Sequence, residues 1–124
     1  MFGSLSREVA VAKHPSDLLQ GTLDVLILKT LAWGPRHGYG IAKWLEDSTA
    51  DTLVIEEGSL YPALYRMERK GWIEAEWGMS ELGRRAKFYA LTAAGRARLR
   101  TEVAAWRLFA AAVGKVLDTD PARA

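Results

Sequence analysis

A chain of 124 residues, 49% of them hydrophobic, suits one domain with a substantial core and excludes global disorder. Without cysteine it has no disulfide frame and no thiolate zinc site, no apolar run reaches the ~20 residues of a membrane span, and residues 1–16 lack the basic start and long apolar segment of a signal peptide, so the expected compartment is the cytoplasm. The 17 basic and 15 acidic side chains leave a net charge of only +2, but they are segregated: Arg84, Arg85, Lys87, Arg96, Arg98 and Arg100 form a run without an acid, a field that can face a polyanion.

Residues 1–17 read as a flexible N-terminal arm, without a clean period and thinned by Gly3, Ser4 and Ser6, with Pro15-Ser16-Asp17 as a turn into the first helix. Thr22 to Trp33 is a helix whose only charges are Asp24 and Lys29. Leu23, Ile27 and Leu31 line one face, and Val25, Leu28 and Ala32 another. A helix apolar nearly all round needs cover on more than one side, which suggests a second copy of the chain against Leu23 and Ile27. Gly34-Pro35 stops it. His37 to Ser48 is a second helix with Ile41 and Leu45 four apart, and Leu53-Val54-Ile55 is either a strand or a turn. Gly58 to Lys70 is a third helix. Proline is tolerated in a first turn, so Pro62 sets the start near Gly58 or Ser59, with Ser59 as the N-cap. Leu60, Leu64 and Met67 then face the core, while Pro62, Tyr65, Arg66 and Arg69 face away, and Gly71 closes the helix.

Ile73 to Trp77 alternates apolar and charged residues as a half-buried strand does, and Arg85 to Leu91 is its partner across a connection bracketed by Gly78 and Gly83. Pairing Trp77 with Ala86 puts Ile73, Ala75, Trp77, Phe88 and Ala90 on one face and sets Glu76 opposite Lys87. Ala93 to Leu117 is one long helix with Thr92 as N-cap. Its residues Leu99, Val103, Trp106, Ala110, Val113 and Leu117 are spaced 4, 3, 4, 3 and 4, a heptad-type seam for dimerisation. Residues 118–124 are a polar tail.

Three helices, a hairpin and a long helix make a mainly α (α+β) fold: a winged helix-turn-helix over 18–92 with a C-terminal dimerisation helix over 93–117. The strings GTLDVLILKTLAWGPRHGYGIA, EEGSLYPALYRMERKGWIEAEW and RRAKFYALTAAGR carry a resemblance that spans about Leu19 to Leu117. They resemble the PadR family of transcriptional regulators in its compact form with a single C-terminal helix. The resemblance implies a homodimer and, as in many members, a repressor of detoxification, phenolic-acid or transporter genes. It makes Ser59, Tyr61, Pro62, Tyr65 and Arg66 the recognition-helix residues and Lys87 a phosphate-facing residue of the wing. Two features depart from the family pattern: the long arm, and Leu82-Gly83 at the wing tip, where polar residues are usual.

Each residue has a plainer reading beside the functional one. Arg66 suits a bidentate contact to guanine, or a solvated helix face. Ser59 is an N-cap, a phosphate ligand, or both. Tyr61 suits packing, with its hydroxyl reaching the DNA backbone. Arg84, Arg85 and Lys87 suit phosphate contact or solubility alone, whereas Arg96, Arg98 and Arg100 read as a solvated face. Trp106 is a core residue of the seam, or, as in multidrug-responsive relatives, a residue that stacks on a planar aromatic effector at the dimer centre. No metal spacing accompanies His14 and His37, and His37 reads as a helix-start contact. Acidic Glu56-Glu57 suits a helix dipole better than catalysis. With no nucleophile–base pair and no phosphate loop, no cofactor, metal or catalytic residue is expected. A ligand-responsive repressor bound to an inverted-repeat operator in double-stranded DNA is the leading function. A winged-helix protein-interaction module without DNA binding is the alternative.

Overall fold

The computed structural model of the chain describes residues 15–122, with side chains from residue 21 onward. The arm expected over 1–17 therefore lies mostly outside the described residues, and Pro15–Asp17 open the first helix instead of forming a turn before it. That helix, α1 (Pro15–Leu31), ends two residues before the expected Trp33, and the chain turns through Gly34 at φ +135°. Next come β1 (Arg36–His37), α2 (Gly38–Ser48), α3 (Glu57–Arg69), β2 (Ile73–Met79), β3 (Arg85–Leu91) and α4 (Ala93–Leu117). The three strands form one antiparallel sheet in the order β1-β3-β2. This is the winged helix fold expected from the order of elements. Leu53-Val54-Ile55 takes the turn option and leads into α3.

The core joins Leu23, Ile27, Leu28 and Leu31 of α1 to Ile41 and Leu45 of α2, to Leu60, Ala63, Leu64 and Met67 of α3, and to Ile73 and Tyr89 of the sheet. Leu60, Leu64 and Met67 thus face inward as their spacing requires. The need for a partner against α1 is corrected by this packing. Leu23 and Ile27 are buried by the chain's own α2, α3, sheet and α4, with Ile27 at 0% exposure, so they are core residues of one chain and not free to line an interface.

Helix α3 starts earlier than Pro62 seemed to permit. Glu56 is the N-cap and makes no side-chain cap bond, Glu57 opens the helix, and Ser59 lies within the first turn instead of capping it. Pro62 falls in the second turn. Proline has no N–H, so the carbonyl of Gly58, four residues back, receives no helical hydrogen bond from it. The other end follows the expected rule. Gly71 at φ +78° donates to Glu68 O, and Trp72 N donates to Met67 O, a Schellman closure. Thr92 caps α4 as expected: its Oγ1 accepts from Gly95 N at 3.0 Å and donates to Gly71 O at 2.6 Å. Helix α4 passes so close to the turn before β2 that Gly95 lies directly against the carbonyl of Trp72.

The hairpin register is one residue away from the expected one. Trp77 opposes Lys87, Glu76 opposes Phe88, and Ala75 opposes Tyr89. Tyr89, with Ile73, Ala75 and Leu91, therefore turns to the core, and Phe88 turns to the opposite face. The cause is β1, which adds to β3 with Arg36 opposite Tyr89 and His37 opposite Phe88. Phe88 packs edge-on against the His37 ring at 5.2 Å and fills the space above Gly78. The expected Glu76–Lys87 pair is thereby lost, and Lys87 pairs with Glu68 of α3 instead.

Candidate nucleic-acid interface

The outward face of α3 carries Tyr61, Pro62 and Tyr65, all exposed, with Ser59 half-buried beside them. Arg69 continues this face and stacks its guanidinium over the Tyr65 ring at 5.7 Å. Tyr61 owes its position to a missing side chain. Its ring lies over Gly38 at the start of α2, where a β-carbon would stand 2.7 Å from Cε1. Arg66 is placed differently from its neighbours. Its Nη1 donates to Asp24 Oδ2 at 2.8 Å and its Nη2 to Asp24 Oδ1 at 2.7 Å, a bidentate pair that ties the middle of α3 to α1. The hydrogen bond that it donates to Asp24 holds the Arg66 guanidinium above its ordinary pKa, against partial burial. Arg66 is thus drawn off the face on which helix geometry alone would put it.

The wing is the β2–β3 hairpin. Its turn closes through Gly83 N donating to Ser80 O at 2.9 Å and Ser80 N to Arg84 O at 2.8 Å, with Gly83 at φ +74°. That backbone angle strains any residue with a β-carbon, which is why glycine serves at the tip. Leu82 beside it is 75% exposed. Arg84 and Arg85 are exposed, and Arg85 lies over the Trp77 ring at 4.8 Å. Lys87 Nζ is 3.3 Å from Glu68 Oε1, so part of its charge is already matched within the chain. Burial pushes the Tyr89 phenol above its usual pKa, with the nearby Lys87 charge opposing.

Between the wing, the start of α2 and α3 runs an open cleft of about 740 Å³, and Tyr61, Lys43, Trp77, Arg84, Arg85 and Lys87 line it. Four cations and three exposed aromatic rings (Tyr39, Tyr61, Trp77) around one concave surface suit a sugar-phosphate backbone. Lys43 and Trp77 were missed from sequence. The i,i+4 spacing of Lys43 with Asp47 makes it look like a solvated ion pair, which it also forms at 3.5 Å. Trp77 shares a strand face with Ile73 and Ala75, so alternation makes it look inward-facing, but it is 58% exposed. One anion joins the cleft: Glu81, whose Oε1 is 3.7 Å from His37 Nε2. His37 caps α2 by accepting from Gly40 N through Nδ1 at 2.9 Å, the helix-start contact expected of it.

The distal half of α4 presents a second surface. Leu99 packs against the core and Val103 is half-buried. Trp106, Val113 and Leu117, farther along the same seam, are exposed, with Trp106 at 44% and its ring 6.2 Å from that of Phe109. Leu108, Phe109 and Val116 are exposed as well. The signal of Phe109 and Val116 in the sequence is a second 4-3-4 spacing, 105-109-112-116, adjacent to the first. Among the described residues no cluster of histidine and carboxylate side chains could hold a metal ion, and no helix is long and apolar enough to cross a membrane.

Comparison with known proteins follows the same lines. The family described as "Transcriptional regulator PadR-like family" matches residues 27–101. A solved transcriptional regulator from Clostridium thermocellum superposes with a TM-score of 0.73 at 31% identity, covering 80% of this chain and 96% of that one. A PadR family transcriptional regulator from Eggerthella lenta gives 0.71 at 32% identity over 94% of this chain and 99% of its own. An uncharacterized protein of Lysinibacillus sphaericus is 34% identical over 103 residues, 83% of this chain and 91% of that protein.

Proposed function

Because the chain belongs to the PadR-like family of transcriptional regulators, whose members bind DNA and are not enzymes, we propose that it is a ligand-responsive homodimeric repressor of detoxification or transporter genes. It acts in the cytoplasm, on an inverted-repeat operator. The observation that carries the DNA-binding part is the cationic cleft between wing and recognition helix, which lies beside the exposed face of α3. With α3 in the major groove, the cleft follows the adjacent phosphates, and Arg84, Arg85 and Lys43 neutralise them. Two-fold symmetry then sets the two half-sites about one helical turn apart, ~10 base pairs. The exposed apolar length of α4, from Trp106 to Leu117, supports dimerisation through this helix, with Val103, Trp106, Val113 and Leu117 at the contact. Trp106 stands where a planar aromatic effector can stack, and small neighbours Ala105, Ala110, Ala111 and Ala112 leave room beside it. An effector that binds better to a dimer geometry with misplaced recognition helices weakens DNA binding by that differential affinity.

Selection from a random duplex library, followed by fluorescence anisotropy across a salt series, tests this function. An inverted-repeat motif with steeply salt-dependent binding is the expected result. Recovery of no motif, with salt-independent or absent duplex binding, turns the protein into a protein-interaction module.

A further inference from the structure

Which bases α3 selects depends on which of its side chains are free to meet a base edge. Arginine is the commonest reader of guanine, through two parallel hydrogen bonds to O6 and N7. In this chain the donors of Arg66 that would make those bonds are already engaged by both carboxylate oxygens of Asp24. Asp24 is only 17% exposed, so taking Arg66 away would strand a largely buried carboxylate. Arg69 lies in the last turn, away from the end of the helix that enters the groove, and its guanidinium rests on Tyr65. No free cation therefore stands on α3 from Glu57 to Tyr65 among the described residues. What stands there is ring surface: Tyr61, Pro62 and Tyr65, the last 63% exposed. Pro62 adds no backbone donor, and the hydroxyl end of Tyr61 is held over Gly38. The Ser59 and Tyr65 hydroxyls apart, the surface is ring, and ring surface cannot match a pattern of donors and acceptors. It matches the one apolar group that base pairs display in the major groove, the C5-methyl of thymine.

We propose that α3 selects A·T pairs by apolar contact of Tyr61, Pro62 and Tyr65 with thymine methyl groups, and that Arg66 is a positioning residue, locked to Asp24, and not a base reader. This deepens the DNA-binding function above and rests on it. The Asp24–Arg66 pair sets how α3 lies on α1, and through that the height at which the three rings meet the groove.

The test uses the operator selected by the wild-type protein. Each half-site thymine is replaced in turn by deoxyuridine, which removes only the methyl, and each guanine by 7-deazaguanine, which removes only N7. At least one deoxyuridine should weaken binding about fourfold, the factor for one buried methyl-sized group, while the 7-deazaguanine duplexes bind as before. In parallel, D24R and R66D are made singly and together. Each single variant should bind all duplexes more weakly, and the double variant should regain affinity with the same selected motif and the same salt slope, although it has no arginine at position 66. Circular dichroism confirms that each variant is folded, and the base-analogue series needs no variant. Silence at every deoxyuridine overturns the proposal. So does a 7-deazaguanine penalty that vanishes in R66A, or a charge-swapped protein with a different preferred base. Failure to select any motif would instead overturn DNA binding itself, a result distinct from these.

Discussion

Two glycines act through the side chains they lack, and their consequences differ because their neighbours differ. At Gly95 a β-carbon would stand 1.9 Å from the Trp72 carbonyl oxygen. That oxygen is backbone, and it also accepts from Thr92 N at 3.1 Å, so it has nowhere to go. Gly95→Ala should therefore exceed the usual overpacking range and cost at least about 3 kcal/mol, read as a lower denaturant midpoint at unchanged m-value. At Gly38 the obstacle is the Tyr61 ring, 2.7–2.9 Å away, and a side chain can swing aside. Gly38→Ala should cost little stability but displace Tyr61 from the cleft, so duplex affinity falls while the melting curve barely moves. His37 offers a third case. Its Nδ1 satisfies Gly40 N, and His37→Ala should lose about 1 kcal/mol, the usual worth of a capping side chain. His37→Asn should keep most of it, because asparagine caps a helix with the same geometry.

At the scale of elements, what was legible in the sequence is what local pattern decides. The inward stripe Leu60, Leu64 and Met67, the Gly71 stop and the Thr92 cap all follow from spacing and capping chemistry, and all are found. What was not legible depends on contacts between distant segments. The hairpin register is set by β1, a two-residue strand too short to have a pattern, which gives Phe88 a packing partner in His37 and so turns Tyr89 inward. Arg66 was placed on the outward face by helix geometry, and only its partner Asp24, 42 residues away, brings it inward. Pro62 misled because the first-turn rule is a preference, and α3 begins at Glu57 and carries the proline in its second turn. The register bears on function, since it puts Trp77 and Lys87 on the same face of the hairpin and Arg85 over the Trp77 ring. Arg84 and Arg85 have no acidic partner among the hydrogen bonds and ion pairs of the described residues. Arg84→Ala and Arg85→Ala should each weaken every duplex alike and flatten the salt slope by about one unit. Lys87→Ala should flatten it less, because Glu68 already claims part of that charge at 3.3 Å.

At the scale of the whole molecule, one chain is complete around α1 and incomplete around α4. Leu23 and Ile27 need nothing further, so the case for a dimer rests on the helix that leaves the domain, where Trp106, Leu108, Phe109, Val113, Val116 and Leu117 all meet solvent. Two adjacent seams demand more cover than a single partner helix gives, and a second copy that brings both its α4 and neighbouring surface supplies it. Sedimentation should show a dimer at micromolar concentration, and a stable folded monomer there would contradict the assembly. Trp106 makes the test sharper, because its two roles separate cleanly. Within one chain it is 44% exposed and only tilts against the Phe109 ring at 6.2 Å, so Trp106→Ala should leave the monomer's own core intact. If Trp106 is packing between the two copies, its removal costs on the order of 3–5 kcal/mol across the interface, melting becomes strongly dependent on protein concentration, and DNA binding fails with the dimer. If Trp106 is the effector platform, the variant stays dimeric and binds its operator, while a planar aromatic compound no longer quenches fluorescence or releases the DNA. The second outcome is the one the proposed effector role requires; Ala105 and Ala110, the residue before the ring and the one a turn beyond it, add little bulk beside it.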